Sequence, residues 1–367
     1  MKIASIDVFQ VDLRGRHGGQ ALSGGRVVAS VDSTIVRLVT DTGIIGWGES
    51  VPWGPVYLPA FARGVRAAID EMAPQLIGLD PRQLGVMCEA MDQLLMGHGY
   101  AKHGLEMACW DIFGKSTGLP LYMLLGGMQS QELKVSAHIG ARVDPQLEGM
   151  MARYRGDGIK QFAAKASGDA KADIAFIRAL GERLEWDESV KVDVNGGWRV
   201  DEGLRVIRGI GDIDITLEQP CRTYEECRDL RRACGIPMIL DECAADLNLL
   251  LRAREDGVLD GVSIKPGRVG GLSAARRMRD FCAELNVGVH IQCMGGSGIT
   301  SAAISHLAHS TPERVLLHVW DPMNLIETET TDGAPVVERS RIRVDDRPGL
   351  GVSPRADVLG QPVARYR

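Results

Sequence analysis

The stretch SVKVDVNGGWRVDEGLRVIRGIGDIDITLEQP, residues 189–220, contains one complete repeat of strand, helix and strand. The run VKVDVNG is short and mostly apolar and ends in a polar turn, which is typical of a buried strand. The next segment has apolar residues at helical spacing, and the apolar run ITL then begins a second strand. Because apolar strands joined by helices form parallel sheets with both faces covered, this stretch predicts an α/β fold.

The same rhythm repeats from residue 131 to residue 321. The eight strand candidates, with seven helical segments between them, are LKVSAHIG, QFAAKAS, VKVDVNG, ITLEQPC, PMILDEC, GVSIKPG, GVHIQCM and RVLLHVW. Repeated units of this kind predict a TIM barrel of the (β/α)7β type, with the active site at the carboxyl ends of the strands.

Residues 1–130 have a different pattern, which predicts an α+β capping domain. Two strand-like segments, IASIDVFQVDL and STIVRLVTDTGIIGWGES, precede helical patterns at about 58–76, 81–96 and 101–117. Asp41, Thr42 and Gly43 are predicted to form the turn of a hairpin. Residues 322–367 are expected to return and complete this domain.

Composition excludes several classes of function. The chain has 367 residues, a net charge of −6 and no run rich in lysine or arginine, which argues against a nucleic-acid partner. No apolar run reaches the roughly 20 residues of a membrane span, and the N-terminus lacks the apolar core of a signal peptide. Eight scattered cysteines without a CxxC pair fit reduced thiols, so we expect a cytoplasmic protein.

Charged or amide side chains stand at the ends of strands two to six of the predicted barrel. The first is a lysine, the last is a lysine, and the three strands between them end in carboxylates. Spacings of 28, 25, 23 and 24 residues place successive members at one level of consecutive β-α units. The sequence therefore predicts one cluster, made of Lys165, Asp193, Asn195, Glu218, Asp241, Glu242 and Lys265.

The carboxylates of this cluster predict a metal site. Buried carboxylates that lie close together repel one another unless a cation compensates them. Oxygen ligands without His or Cys suit Mg²⁺, with Mn²⁺ as the alternative. Glu242 points to the opposite side of its strand from Asp241, so it is expected to support the site from behind, as is Asn195.

The two lysines predict proton transfer at a carbon next to a carboxylate. A metal-bound carboxylate stabilises the negative charge that develops when the α-proton leaves. A buried lysine near a divalent ion has a lowered pKa and can act as a general base. The second lysine, on the opposite face, can return a proton to the carbon or protonate a leaving group. The pattern thus leaves epimerisation and elimination both open.

The motifs resemble those of the enolase superfamily, in its subgroup similar to muconate-lactonising enzymes. The resemblance covers essentially the whole chain and rests on GWGE, DIFGKSTGLPLYMLLGG, VDVNGGW, LEQP, LDE and IKPGRVGGL. It implies Mg²⁺ on Asp193, Glu218 and Asp241, with Lys165 and Lys265 as the acid/base pair. One position departs from the family pattern, because Ala163 stands where a second lysine usually precedes the catalytic one.

Four further residues are candidates for substrate binding. Trp53 and Tyr57 belong to a capping-domain loop, and Trp320 and Asp321 follow the last barrel strand. Trp320 could offer a ring face to a substrate cation and Asp321 could pair with an ammonium group, although barrel packing and helix capping are equally open to them. His290 is expected to pack in the core.

The 97–111 segment and Trp320 are similar to members of the subgroup that act on hydroxyprolines. This resemblance implies a small amino-acid substrate: cis-3-hydroxy-L-proline, dehydrated to Δ1-pyrroline-2-carboxylate with competing epimerisation at C2. It also implies a homo-oligomer. Racemases, betaine or dipeptide epimerases and cycloisomerases of the superfamily remain alternatives. A catalytically silent barrel that only binds a ligand is the alternative from another class.

Overall fold

A computed structural model describes residues 1–16, 20–21, 27–54, 57, 59–140, 147–320 and 326–367 of the chain. It confirms the predicted fold class, a capping domain combined with a barrel of eight parallel strands. Among the described residues, no helix is both long and apolar enough to cross a membrane. The N-terminal elements are β1 (Ile3–Arg14), β2 (Gln20–Ala21), β3 (Val27–Val28), β4 (Ser30–Thr40), β5 (Ile45–Ser50), α1 (Ala62–Leu76), α2 (Leu84–Leu94), α3 (Gly99–Thr117) and α4 (Leu121–Leu124).

The capping sheet is antiparallel and includes the predicted hairpin. Strands β4 and β5 pair from Thr34↔Ser50 to Val39↔Ile45, and Gly43 adopts the positive φ of +82° that the turn between them requires. On β5, Gly46 and Gly48 let α3 pack directly on the sheet. A Cβ atom at Gly48 would stand 1.9 Å from the carbonyl oxygen of Gly104, so any side chain there would push α3 away.

The barrel follows the predicted order of strands and helices. Its elements are β6 (Leu133–Lys134), β7 (Ala137–Ile139), α5 (Leu147–Gly156), β8 (Gln161–Lys165), α6 (Ala170–Gly181), β9 (Ser189–Asp193), α7 (Val200–Ile210), β10 (Thr216–Glu218), α8 (Tyr224–Arg232), β11 (Met238–Leu240), α9 (Leu247–Glu255), β12 (Gly261–Ile264), α10 (Pro266–Val269), α11 (Leu272–Glu284), β13 (Gly288–Ile291), α12 (Gly298–His309) and β14 (Leu316–Val319).

The barrel strands lie side by side in sequence order from β7 to β14, and every pairing is parallel. An isolated parallel bridge between Val135 and Val319 joins the first segment to the last strand. All carboxyl ends therefore face one mouth, as the repeat predicts.

The C-terminal segment contacts both parts of the molecule. A hairpin of β16 (Val336–Glu338) and β17 (Arg341–Arg343) adds to β6. Strand β19 (Ala364–Tyr366) pairs with β1 in the capping sheet. The predicted domain boundaries, 1–130 with 322–367 and 131–321, stay a prediction. The C-terminal elements are β15 (Thr331–Asp332), β16 (Val336–Glu338), β17 (Arg341–Arg343), β18 (Ser353–Pro354), α13 (Ala356–Leu359) and β19 (Ala364–Tyr366).

A buried carboxylate, Glu49 of the GWGE motif, fastens the capping sheet to the barrel. Its oxygens accept hydrogen bonds from the hydroxyl of Ser33 at 2.7 Å, the N–H of Ser297 at 2.9 Å and the hydroxyl of Thr300 at 2.6 Å. Ser297 is the residue before α12, so the carboxylate also lies at the positive end of that helix. This contact ties β5 of the capping sheet to the start of α12 in the barrel.

We expect Glu49→Ala to lower the free energy of unfolding by about 3–5 kcal/mol, because it leaves several buried donors without an acceptor. Glu49→Gln, which keeps one acceptor oxygen, should lose less. The check is chemical denaturation beside Glu71→Ala, an exposed glutamate of α1, for which we expect a change below about 0.5 kcal/mol. Equal midpoints for Glu49→Ala and Glu71→Ala would contradict the role of this contact.

Buried His306 should make stability depend on pH. Its Nδ1 accepts the Tyr122 N–H at 3.3 Å and its Nε2 donates to the carbonyl of Leu350 at 3.2 Å, and burial lowers its pKa to about 4. Between pH 6.5 and 4 the unfolded chain binds more protons at this site than the folded protein does. The stabilisation is therefore complete above pH 6.5 and is lost as the pH falls through this window.

In the wild type, His306 should lower the free energy of unfolding by on the order of 3 kcal/mol as the pH falls from 6.5 to 4. We expect His306→Gln to lack this contribution. The measurement is denaturation at several pH values. His98→Asn is the matched control, because His98 is exposed and has a positive φ that asparagine tolerates. An unchanged pH slope in His306→Gln would rule the idea out.

Candidate active site

The strand register brings the predicted cluster together at the barrel mouth, with Lys165, Asp193 and Glu218 at one level. Lys165 at the end of β8 pairs with Asp193 at the end of β9, and Asp193 pairs with Glu218 at the end of β10. Asp241 follows β11 directly, and Lys265 follows β12. All five residues except Lys165, which is half-buried, are buried. The structure thus assembles the predicted set in the order of the strands.

Lys165 lies against Asp193 and Asn195. Its Nζ donates to Asp193 Oδ2 and, at 3.0 Å, to Asn195 Oδ1. Burial is the largest single influence on the pKa of Lys165 and lowers it, but the charges of Asp193, Glu218 and Glu242 together raise that pKa above its ordinary value. In this structure Lys165 is therefore an ammonium group. The lowered pKa that the sequence predicts for a general base would require Asp193 to turn away from Lys165.

Lys265 stands on the other side of the mouth, against Asp241. Its Nζ donates to Asp241 Oδ2 at 2.5 Å, and Arg268 donates to Asp241 Oδ1 at 2.5 Å. Burial alone would raise the pKa of Asp241, but the two cations outweigh it and lower that pKa. Arg268 was not predicted. Its position in the short helix α10, three residues after Lys265, could have indicated that it lies near the same carboxylate.

Glu218 is almost fully buried, and its partners were not predicted. Ser263 Oγ donates to Glu218 Oε1 at 2.5 Å, Gln292 Nε2 donates to the same oxygen at 2.8 Å, and Lys191 Nζ pairs with Oε2. Lys191 precedes Asp193 by two residues, so strand alternation already placed both on the same side. Burial raises the pKa of Glu218, but the charge of Lys191, together with smaller contributions from other neighbours, outweighs it and holds that pKa well below the ordinary value.

Glu242 contacts two residues that line the cavity, and its supporting role stays a prediction. Its Oε1 accepts hydrogen bonds from Tyr57 OH at 2.6 Å and from Asn195 Nδ2 at 2.9 Å. Burial and the nearby charge of Asp241 raise its pKa to about 7. Tyr57 OH also accepts a hydrogen bond from Lys265 Nζ at 3.3 Å, so the capping-domain loop touches the acid/base candidates directly.

A cavity between the lysines is the place for a substrate. Trp53 and Tyr57 line it from the capping domain, and Trp320 lines it from the end of β14. Asp321, the fourth substrate-binding candidate, lies outside the described residues. His138 on β7 also lines the cavity and was not predicted.

His290 lies deeper in the barrel, as expected for a core residue. It is 1% exposed, its Nδ1 is 2.9 Å from Lys191 Nζ, and its ring packs on that of His318 with centroids 3.7 Å apart. Burial, with the charge of Lys191, lowers its pKa to about 3, so the ring is neutral.

The carboxylates of Asp193, Glu218 and Asp241 offer only oxygen donors, which fit a hard divalent ion. In this structure, however, each of them faces a lysine. Among the described residues, no three His, Cys, Asp or Glu side chains converge closely enough in this structure to hold a metal. The reason is that each carboxylate is drawn toward a cation, Asp193 toward Lys165 and Glu218 toward Lys191. Burial raises the pKa of Asp193, and the charges of Glu218 and Asp241 raise it further, so the three carboxylates act on one another. Buried oxygen donors at one mouth suit Mg²⁺ or Mn²⁺ once they turn from the lysines.

Two known protein families together match nearly the whole chain. Residues 146–358 match the family described as enolase C-terminal domain-like. Residues 7–126 match the mandelate racemase / muconate lactonizing enzyme N-terminal domain. The chain is 40% identical over 366 residues to the cis-3-hydroxy-L-proline dehydratase of Roseibium aggregatum, with 100% of both chains covered.

Two further relatives are similar over almost their full length. A crystal structure of a member of the enolase superfamily from Roseovarius nubinhibens ISM, complexed with magnesium, has a TM-score of 0.94 and 37% identity, and the match covers 100% of this chain and 99% of that one. The N-succinyl-L-Arg/Lys racemase of Bacillus cereus is 27% identical over 365 residues, covering 98% of this chain and 97% of its own.

Proposed function

The chain belongs to the mandelate racemase/muconate lactonizing enzyme family of the enolase superfamily, and we propose that it dehydrates cis-3-hydroxy-L-proline to Δ1-pyrroline-2-carboxylate. The observation that carries the proposal is the placement of Lys165 and Lys265 at the carboxyl ends of β8 and β12, with three carboxylate-bearing strands between them. Such a pair can work on opposite faces of one carbon. The full-length similarity to a dehydratase of that substrate supports the choice of reaction.

We assign the metal site to Asp193, Glu218 and Asp241, with Mg²⁺ as the ion and Mn²⁺ as a substitute. Bound there, the ion would polarise the substrate carboxylate as a Lewis acid and stabilise the charge that develops on it. The three carboxylates already face four cations, which are Lys165, Lys191, Lys265 and Arg268. Two added positive charges would therefore be available to an enediolate.

The stereochemistry of the substrate suits two bases. In cis-3-hydroxy-L-proline the hydroxyl and carboxylate share a ring face, so the C2 hydrogen lies on the other face. We assign removal of that proton to the neutral amine of Lys165, as the resemblance to two-base enzymes implies. The electron pair of the C–H bond forms the C2=C3 bond, the C3–O bond breaks, and the ammonium of Lys265 gives the departing hydroxide a proton to form water. The enamine product then tautomerises to the cyclic imine.

The same pair accounts for a competing epimerisation at C2. If Lys265 gives its proton to C2 before the C3–O bond breaks, the configuration at C2 inverts and no water leaves. A racemase among the relatives is consistent with this branch. Substrates without a β-leaving group would follow it alone.

The test is proton NMR in D₂O with Mg²⁺ on proline, its 3- and 4-hydroxy isomers and their betaines. Formation of the enamine-derived product from a 3-hydroxy isomer only is the expected result. Exchange or inversion at C2 without that product would make the protein an epimerase. No exchange with any member of the panel would overturn the proposal and favour a barrel that binds without catalysis.

A further inference from the structure

One side of the cavity differs from the metal side, and we name it the uncharged wall. It is formed by His138 from β7, Cys293 and Met294 after β13, and Trp320 after β14. The barrel order places β13, β14 and β7 opposite the strands β9, β10 and β11 that carry the carboxylates. The uncharged wall therefore faces the metal ligands across the cavity.

The reaction geometry directs the substrate nitrogen to this wall. The substrate carboxylate must lie toward the carboxylate-bearing strands, and its α-carbon must lie between Lys165 and Lys265. The two remaining bonds of the α-carbon, to nitrogen and to the β-carbon, then point away from the metal ligands. The nitrogen of a proline-like substrate thus comes next to the uncharged wall.

Two side chains of this wall, His138 and Trp320, each have a buried nitrogen without a hydrogen-bond partner among the described residues. Of the two, only the imidazole of His138 can accept a hydrogen bond, because the indole N–H of Trp320 is a donor only. The ring is held edge-on against Trp320 with centroids 4.0 Å apart. Burial, with the positive charges of Lys165 and Lys191, keeps the pKa of His138 well below the ordinary value, so one ring nitrogen is an acceptor and the other a donor. Buried polar atoms of native proteins are nearly always paired, so a partner from outside the chain is expected.

We infer that His138 is a specificity residue that accepts a hydrogen bond from the ring nitrogen of the substrate, an inference that rests on the proposed function. A protonated secondary amine offers N–H donors to such an acceptor. A betaine, whose nitrogen carries two methyl groups, offers none and would leave the imidazole unpaired. The site therefore takes an amino acid with an unmethylated, unacylated ring nitrogen.

Ala163 contributes the space for this contact. It is the Cα partner of His138 across β7 and β8 and also lines the cavity. Only a methyl group stands there, so neither bulk nor a further positive charge lies beside the imidazole. A substrate cation can therefore approach His138 without repulsion from position 163.

The experiment compares kcat/KM for cis-3-hydroxy-L-proline and for its N,N-dimethyl betaine in the wild type, His138→Phe and His138→Gln. Phenylalanine keeps a ring against Trp320 but removes both nitrogens. We expect the wild type to prefer the N–H substrate. In His138→Phe we expect a loss of about 10- to 100-fold on that substrate, mainly through KM, with little change on the betaine. His138→Gln, which supplies an acceptor oxygen, should recover part of the preference.

The outcomes separate this inference from the proposed function. A preference that survives in His138→Phe, or an equal loss on both substrates, would overturn the role of His138 and leave the dehydratase standing. A wild type inactive on both substrates would overturn both. Mg²⁺ affinity, measured by calorimetry, should stay unchanged in both variants, which excludes damage to the metal site as the cause.

Discussion

Lys165→Met is expected to lower the rate of dehydration of cis-3-hydroxy-L-proline at least about 10³-fold and to abolish exchange of its C2 proton in D₂O. Methionine has nearly the length of lysine but cannot take a proton. Lys265→Met should lose dehydration to a similar degree, because the departing hydroxide then lacks its acid. It should nevertheless retain C2 exchange, because Lys165 still removes that proton. Deuterium incorporation followed by NMR distinguishes the two variants.

The matched control is Lys171→Met, which replaces an exposed lysine of α6 and should leave both rates unchanged. If exchange of the C2 proton persists in Lys165→Met and disappears in Lys265→Met, the roles of the two lysines are reversed. Dehydration that persists in both variants would show that neither lysine is the acid/base group. Mg²⁺ binding serves as the integrity check, since removing Lys165 leaves Asp193 free to turn toward the ion.

The sequence was sufficient to predict the barrel and the strand-end cluster because both depend on local patterns. Apolar strands alternate with amphipathic helices, and parallel strands present their carboxyl ends at one mouth. Residues at equivalent positions, such as Lys165 and Asp193, therefore converge whatever the details of packing. The register of β8 on β9 confirms that convergence.

The pairing inside the cluster could not be predicted, because it depends on how each strand is shifted against the next. Glu218 is level with Ile239, so Asp241 lies two residues beyond it along the neighbouring strand. The cations that the two carboxylates meet come from other elements, Arg268 of α10 for Asp241 and Lys191 of β9 for Glu218. The resulting ion pairs involve residues far apart in sequence, and no local pattern encodes them.

The uncharged wall was missed for a related reason. His138 was an ordinary residue in a strand of mixed character. Only closure of the barrel brings β7 beside β14 and the imidazole of His138 against Trp320.

The return of the chain to the capping sheet was expected, but the strand that makes it, β19, was not identified. Three residues of β19 pair with β1, too few for a periodic signal.

Asp241→Asn is expected to weaken Mg²⁺ binding at least about 100-fold, whereas Glu242→Gln next to it should weaken binding no more than about 10-fold. The two substitutions are chemically alike, each replacing a carboxylate by an amide of the same shape. They differ in placement. Asp241 is paired with Lys265 and Arg268, while Glu242 accepts hydrogen bonds from Tyr57 and Asn195. Isothermal titration of each metal-free variant with MgCl₂ measures the difference.

Stability of the metal-free variants provides a second, independent readout. Asp241→Asn leaves Lys265 and Arg268 buried with one anion fewer, so the free energy of unfolding should fall by about 3 kcal/mol or more. Glu242→Gln should cost less, because burial and the charge of Asp241 raise the pKa of Glu242 to about 7 and so disfavour its charged form. Equal losses of metal affinity in the two variants would contradict the ligand assignment. A larger loss in Glu242→Gln would move the third ligand from Asp241 to Glu242.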